Sequence, residues 1–152
     1  MPTGEGAPPR ITPKSLDDYL EIQTKAVFQS RMSWKVVEAK WPTTREALDE
    51  FQVAAIASYG PERLAELGDD ARVIRNKRKL AAITDNARKM IELDEQYDGF
   101  RNYLRSFGDF YLLMEDIRKQ FKFMGPVGIY YWMWVVGEDV PPHEEFSEPM
   151  KK

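Results

Sequence analysis

The chain contains the basic stretch RVIRNKRKL at Arg72–Leu80, which lies between two segments with helical periodicity. Five of the eight residues from 72 to 79 are basic and none is acidic. The chain of 152 residues has a formal net charge of −3, so the other residues carry 17 basic against 25 acidic side chains, or −8. A basic cluster on an acidic protein is typical of an anion site. The stretch therefore predicts a phosphate-binding turn, although a solvated charged loop would have the same composition.

The chain contains no cysteine and a single histidine, His143. This composition excludes disulfides, thiolate metal sites and a cysteine nucleophile, and it argues against a zinc site. The longest uncharged run, Phe123–Gly137, is shorter than the roughly 20 residues that span a bilayer, and glycine and proline interrupt it. The N-terminus lacks the apolar core of a secretory signal. We therefore expect no metal, no membrane contact and a soluble intracellular protein.

The length predicts one domain. Residues 1–14 are rich in glycine and proline and predict a disordered tail, residues 15–146 a single all-α domain, and residues 147–152 a second tail. Pro42 should end the second helix, because proline cannot continue the backbone hydrogen-bond ladder. No strand alternation or internal repeat is found. Helical spacing predicts eight or nine short helices in an irregular bundle, with starts near Ser15, Ser33, Thr43, Val53, Pro61, Lys77, Phe100, Phe110 and Pro126.

Aromatic residues suggest either a core or a stacking surface. The run YYWMW at Tyr130–Trp134 is apolar all round, which predicts a buried central helix; a wall of a base-stacking pocket is the alternative. Trp34 shares one helical face with Val37 and Trp41, and so fits either a core or a pocket. Met32, in the preceding loop, fits either an ordinary loop position or an apolar wedge.

Three ordered stretches resemble the DNA-3-methyladenine glycosylase I family. The first is Ser33-Trp34 at a helix start, followed by Phe51 and Val53-Ala54-Ala55. The second is VIRNKRKL at 73–80, which leads into Asp85-Asn86-Ala87-Arg88 at the family's spacing. The third is Phe121-Lys122-Phe123-Met124-Gly125-Pro126. The resemblance covers about residues 19–136.

This resemblance implies an all-α, helix-hairpin-helix DNA glycosylase fold. It also implies double-stranded DNA containing an alkylated purine as partner, and hydrolysis of the N-glycosidic bond of the flipped base without a metal or cofactor. By the same analogy we expect a bacterial-type cytoplasmic monomer that associates with the nucleoid through DNA.

Site residues follow from the matched positions. Trp34 matches the tryptophan that stacks on the extruded base, and Met32 the apolar side chain that plugs the duplex. Gln23, Ala26 and Tyr130 would complete the base pocket. Residues Arg75 to Lys79 match the hairpin that grips the phosphate backbone. Arg72 and Arg78 stand where the family often has glycine. We expect DNA-backbone contacts from Arg72, Arg75, Asn76, Lys77, Arg78 and Lys79.

The chain departs from the family in its pocket and at its ends. Ala26 occupies the position of the family glutamate that contacts the cationic base, so the catalytic residue is unassigned and reduced activity is expected. The cysteines of the family's structural zinc site are absent, and the stretch between Phe107 and Phe121 is short. Three functions remain open: a diverged glycosylase, a non-catalytic DNA-binding or damage-sensing protein on the same fold, and a helical interaction module unrelated to DNA.

Overall fold

The computed structural model describes residues 9–30, 32–142 and 144–146. Within these residues there is no β-strand, which confirms the predicted all-α class. The elements follow in the order α1 (Leu16–Gln29), α2 (Trp34–Ala47), a 3-10 turn (Asp49–Phe51), α3 (Val53–Ala57), α4 (Pro61–Gly68), α5 (Lys77–Gln96), α6 (Phe100–Arg105), α7 (Phe110–Gln120) and α8 (Pro126–Val135).

Most helix starts coincide with capping residues in the sequence. The Ser33 hydroxyl accepts from the Val36 amide at 3.3 Å, and the Asn76 side chain accepts from the Lys79 amide at 3.0 Å. Such caps satisfy backbone N–H groups that have no partner inside the helix. Pro61 and Pro126 occupy first helical positions, where the missing N–H costs nothing. Local sequence therefore sets where α2, α4, α5 and α8 begin.

Helix α8 is largely buried, as its continuous apolar surface predicts. Tyr130, Tyr131, Trp132 and Met133 are each 3% exposed or less, so aromatic side chains around the helix enter the core. The Trp132 indole N–H donates to the Tyr19 carbonyl of α1 at 3.0 Å, which satisfies its polar atom inside the core. Neither α8 nor any other helix among the described residues is long and apolar enough to cross a bilayer.

The prediction that Pro42 ends the second helix is wrong. Helix α2 runs through Pro42 to Ala47, so no separate helix starts at Thr43. Proline removes one backbone hydrogen bond, but the helix buries Trp41, Thr44 and Ala47 along one side. Trp41 also stacks on Phe51 with ring centroids 5.2 Å apart. Packing of this face compensates for the missing bond.

Part of the predicted tail of residues 1–14 docks on the end of α8 through Arg10 and Ile11. The Ile11 amide donates to the Val135 carbonyl at 2.7 Å. The Arg10 guanidinium donates to the Trp134 carbonyl at 2.8 Å and lies 4.2 Å from the centre of the Trp134 ring. Carbonyls at a helix C-terminus lack internal partners and attract cations, which explains this docking. Residues 1–8 and 147–152 of the predicted tails lie outside the described residues.

Candidate functional site

The basic turn joins α4 to α5 and has a buried base. Val73 and Ile74 are 1% and 5% exposed, so the turn is anchored by apolar side chains. The Thr43 and Thr44 hydroxyls of α2 donate to the Arg72 carbonyl at 2.8 and 3.2 Å. The charged stretch is therefore a turn anchored to its neighbours between two helices, and we call it the hairpin.

The exposed charges of the hairpin concentrate at the start of α5. Arg75, Lys77 and Arg78 are exposed, and the first two residues of α5 are themselves basic. The N-terminus of a helix carries a partial positive charge and presents backbone N–H groups outward. Asn76 is the N-cap that fixes this geometry. The three cations and the helix end together form a surface suited to a phosphate chain.

Two basic residues of the predicted grip have other partners. Arg72 pairs with Asp70 at 2.8 Å and with Glu46 at 3.2 Å. The hydrogen bonds from Arg72 lower the pKa of Asp70 to about 2, so the pair is ionised at neutral pH. Lys79 is only 8% exposed. Lys79 is therefore poorly exposed to a DNA backbone, and Arg72 is largely neutralised by its two carboxylates. The DNA contacts predicted for these two residues stay predictions.

Lys79 joins the hairpin to the end of α1. Its ammonium donates to the Ser30 carbonyl at 2.8 Å and approaches the Phe28 carbonyl at 3.4 Å. A lysine at the C-terminus of a helix satisfies unpaired carbonyls and complements the helix dipole. The chain beyond this contact carries Met32 and Trp34, both half-buried. The start of α5 is thus fixed beside the predicted wedge and stacking residues.

A third segment, the loop of residues 121–125 before α8, is clamped to α5. The Asn86 side chain donates to the Lys122 carbonyl at 3.1 Å and accepts from the Lys122 amide at 2.8 Å. The Lys122 ammonium also pairs with Asp85 at 2.6 Å. Two segments that are distant in sequence therefore contact each other, Asp85–Arg88 and Phe121–Pro126. Arg88 itself donates to the Ala57 carbonyl at 2.7 Å, so its role is structural.

Beside Trp34 lies a cleft of about 310 Å³ between α1, α2 and α8, which we call the stacking cleft. Its walls include Trp34 and Tyr131, whose rings meet edge to face with centroids 5.0 Å apart. Lys25 and Glu38 also line it, with the ammonium 3.5 Å from the carboxylate. The other lining residues are apolar: Pro9, Ile11, Ile22 and Val135.

The cleft combines an aromatic wall with one ion pair. Burial raises the pKa of Tyr131, and the negative charges of Glu38 and Glu21 add to the effect, so its hydroxyl is neutral at physiological pH. An aromatic wall stacks on a planar ring, a carboxylate accepts from ring or amino N–H groups, and an ammonium donates to ring nitrogens. This donor set suits a purine or pyrimidine base.

The other predicted pocket residues do not line the stacking cleft. Ala26 is 2% exposed, and a Cβ placed on Gly128 of α8 would lie 3.6 Å from its side chain. Because α1 and α8 cross closely there, no open gap remains beside Ala26. Gln23 is fully buried, and neither polar atom of its amide has a hydrogen-bond partner among the described residues.

Tyr130 also lies elsewhere, because its ring stacks on Phe146 with centroids 4.3 Å apart. Its hydroxyl donates to the Pro141 carbonyl at 2.7 Å. Tyr131, one residue on, contacts Trp34 instead. Sequence reasoning missed Lys25 and Glu38, although Glu38 follows Trp34 by four residues and so shares its helical face.

A second cleft of about 400 Å³ near the end of α8 has a different character. Its charged lining residues are Arg105, Asp109, Glu138 and Asp139, one positive against three negative. Arg105 and Glu138 pair at 3.0 Å. We call it the acidic cleft; its charge repels a phosphate backbone. Among the described residues, no three histidine, cysteine or carboxylate side chains are grouped to hold a metal, and His143 lies outside that range.

Comparisons of the sequence and of the fold with known proteins agree with each other. The family model described as methyladenine glycosylase matches residues 17–120. DNA-3-methyladenine glycosylase 1 of Escherichia coli (strain K12) is 29% identical over 79 residues, which cover 52% of this chain and 42% of that protein. The chain thus matches less than half the length of this relative.

Two solved structures share the fold at low identity. A tyrosine-to-phenylalanine variant of 3-methyladenine DNA glycosylase I, solved in complex with 3-methyladenine, aligns with a TM-score of 0.75 at 18% identity and covers 91% of this chain and 84% of that one. The 3-methyladenine DNA glycosylase I of Staphylococcus aureus aligns with a TM-score of 0.74 at 18% identity and covers 88% and 83%. At such identities the similarity is one of fold.

Proposed function

Because the chain belongs to the methyladenine glycosylase family, we propose that it binds double-stranded DNA and removes an alkylated purine flipped out of the helix. The observation that carries this proposal is the Lys79 contact with the end of α1. It holds the cationic start of α5 beside the loop that bears Met32 and leads into Trp34 at the start of α2. A hairpin for phosphates and an aromatic cleft are the parts that an enzyme acting on an extruded base requires.

Base extrusion costs a few kcal/mol, which contacts between the protein and the DNA must offset. Arg75, Lys77, Arg78 and the α5 N-terminus would hold the phosphates of one strand. Met32 would fill the space that the base leaves, as apolar wedges do in other DNA-bending proteins. The extruded base would stack in the cleft beside Trp34, where stacking contributes roughly 1–3 kcal/mol per base.

Hydrolysis of the N-glycosidic bond of an alkylated purine needs little catalytic assistance from the protein. The base already carries a positive charge, so it leaves as a neutral molecule when it takes the electron pair of the N-glycosidic bond. Water then forms the new bond to C1′ of the sugar and loses a proton. Glu38 is the one carboxylate among the described residues of the stacking cleft. We assign it to hold the cationic base and to stabilise the positive charge that develops on the sugar.

A damage-sensing protein without catalysis is the second candidate, and two observations favour it. The position of the family glutamate is Ala26, which is buried against α8. Glu38 is also paired with Lys25, which reduces the negative charge available to a cationic base. A sensor would bind the lesion in the same cleft and release no base. We expect no cofactor and a monomer in either case.

The test is release of free base from duplex DNA treated with a methylating agent, measured together with binding of the same duplex. Trp34→Ala should lower base release roughly 5- to 100-fold, the equivalent of removing one stacking interaction. Val36→Ala is the matched control, because Val36 is exposed on the same helix and does not line the cleft. Its release rate should equal that of the unmodified chain.

The outcomes separate the two candidates. Base release that depends on Trp34 supports the enzyme. Lesion-selective binding that depends on Trp34, without any base release, supports the sensor and refutes the enzyme. If the chain prefers no damaged duplex over an intact one, neither candidate holds.

A further inference from the structure

Phe123 is an exposed aromatic residue in a loop whose other apolar side chains are buried. Phe123 is 41% exposed, whereas Phe121, two residues before it, and Met124, directly after it, are 4% and 6% exposed. A single exposed apolar residue is ordinary on a protein surface. Phe123 differs because the backbone and the neighbouring elements hold it in this position.

The backbone of Phe123 adopts the left-handed region, with a φ of +58°. A bulky residue is uncommon there, and such conformations persist where the surrounding structure enforces them. Glycine would adopt this φ without strain, yet the chain has phenylalanine. The two hydrogen bonds between Asn86 and the Lys122 backbone fix the preceding residue, and buried Met124 fixes the following one. The loop is thus built to hold an aromatic ring outward.

The ring is exposed beside the cationic start of α5. The Arg78 guanidinium lies 5.8 Å from the Phe123 ring centre, within range of a cation–π contact. Arg78 belongs to the same exposed set as Arg75 and Lys77. An aromatic ring beside Arg78, at the N-terminus of a helix that begins with two cations, favours a polyanion with flat apolar faces. This describes nucleic acid and not a lipid or an apolar protein groove.

We propose that Phe123 stacks on a DNA base at a place where base pairing in the duplex is disrupted. It would be a second aromatic contact, outside the stacking cleft. This inference rests on the proposed DNA binding and adds a residue that the cleft does not use. Such a ring finds no exposed base face in intact duplex, where every base is stacked. It gains a partner only where pairing is disrupted. Phe123 therefore confers preference for a disrupted site rather than affinity for DNA in general.

The experiment compares two duplexes of one sequence, one fully paired and one with a stable abasic-site analogue at its centre. Phe123→Ala should weaken binding of the abasic duplex roughly 5- to 100-fold and leave the paired duplex unchanged. Phe123→Trp should retain the preference, since it keeps a stacking ring. Leu112→Ala is the matched control, because Leu112 is 52% exposed and lies on α7 away from the clamped loop.

Phe123→Gly separates stacking from folding. It relieves the left-handed φ, so its melting temperature should equal or exceed that of Phe123→Ala, while its preference for the abasic duplex should disappear. Equal affinity of Phe123→Ala and the unmodified chain for the abasic duplex would overturn the inference and leave the proposed function intact. If the unmodified chain binds neither duplex, the proposed function fails and this inference fails with it. An equal loss of affinity for both duplexes would also overturn it, because it would indicate a general docking role.

Discussion

Glu38 and Trp34 lie one helical turn apart on α2 and face the same cleft. The Glu38 side chain is 57% exposed, and its ion pair with Lys25 holds it at the rim of the cleft. A carboxylate in this place would supply, from a different helix, the charge that is missing at Ala26. The rim position also means that solvent screens part of its interaction.

Glu38→Gln tests this assignment, because glutamine keeps the size and an acceptor but removes the charge. We expect affinity for a permanently cationic N-alkylated purine nucleoside to fall by up to roughly fivefold, the range of a half-exposed ion pair. Affinity for the neutral parent nucleoside should stay the same. Calorimetric titration measures both, and Glu46→Gln on the same helix is the control, because Glu46 pairs with Arg72 outside the cleft. An equal loss of affinity for both nucleosides would argue against charge recognition.

At this scale the sequence predicted residue types better than their environments. Trp34 lines a cleft with an aromatic partner, but Tyr131 and not Tyr130 is that partner. Consecutive residues on a helix point about 100° apart, and the apolar surface of α8 has no polar face from which its rotation could be derived. Lys79 likewise lies in a basic stretch and would be expected at the surface. Only the distant carbonyls of Phe28 and Ser30 make it a buried one.

Among the elements, the hairpin between α4 and α5 was predictable because its signals are local. Pro61 begins α4, the helix ends at Gly68, and Asn76 caps α5. The course of α2 was not predictable in this way. Whether a helix continues through proline depends on how much its other side chains bury, and Trp41 gains its partner Phe51 only in the folded chain.

The hairpin gives a quantitative prediction for DNA binding. Replacing Arg75, Lys77 and Arg78 together by glutamine should weaken duplex binding and flatten its dependence on salt by up to about three units of slope. The reason is that DNA releases about one counterion for each phosphate that a cationic side chain neutralises, and the variant neutralises fewer phosphates. Fluorescence anisotropy over a range of salt concentrations measures this slope.

Arg72→Gln is the control within the same hairpin, because Arg72 already pairs with Asp70 and Glu46. Its salt slope should stay close to that of the unmodified chain. If the triple replacement leaves the slope unchanged, or if Arg72→Gln alone flattens it as much, the exposed start of α5 is not the phosphate-binding surface. Lys79 is left unchanged in this test, because its replacement would remove a hydrogen-bond donor from buried carbonyls and destabilise the fold.

Across the whole molecule, side-chain contacts join α5 to two stretches that lie far from it in sequence. Lys79 ties α5 to the end of α1, and Asn86 ties α5 to the loop before α8. Motif order in the sequence indicated the family, but such side chain–backbone contacts have no periodicity to reveal them. The docking of Arg10 and Ile11 on α8 was hidden for the same reason. The expectation that no structural zinc is present stays a prediction.

If the segment of residues 32–34, the hairpin and the loop of residues 121–125 form one DNA-binding surface, hydrogen–deuterium exchange should show it most directly. Exchange is measured with and without saturating duplex that carries a stable abasic-site analogue. We predict that DNA slows amide exchange together in the peptides containing Met32 and Trp34, residues 72–80 and residues 121–125. Exchange at residues 137–139 beside the acidic cleft should stay unchanged. Protection confined to one of the three stretches, or protection at the acidic cleft in their place, would contradict a single surface.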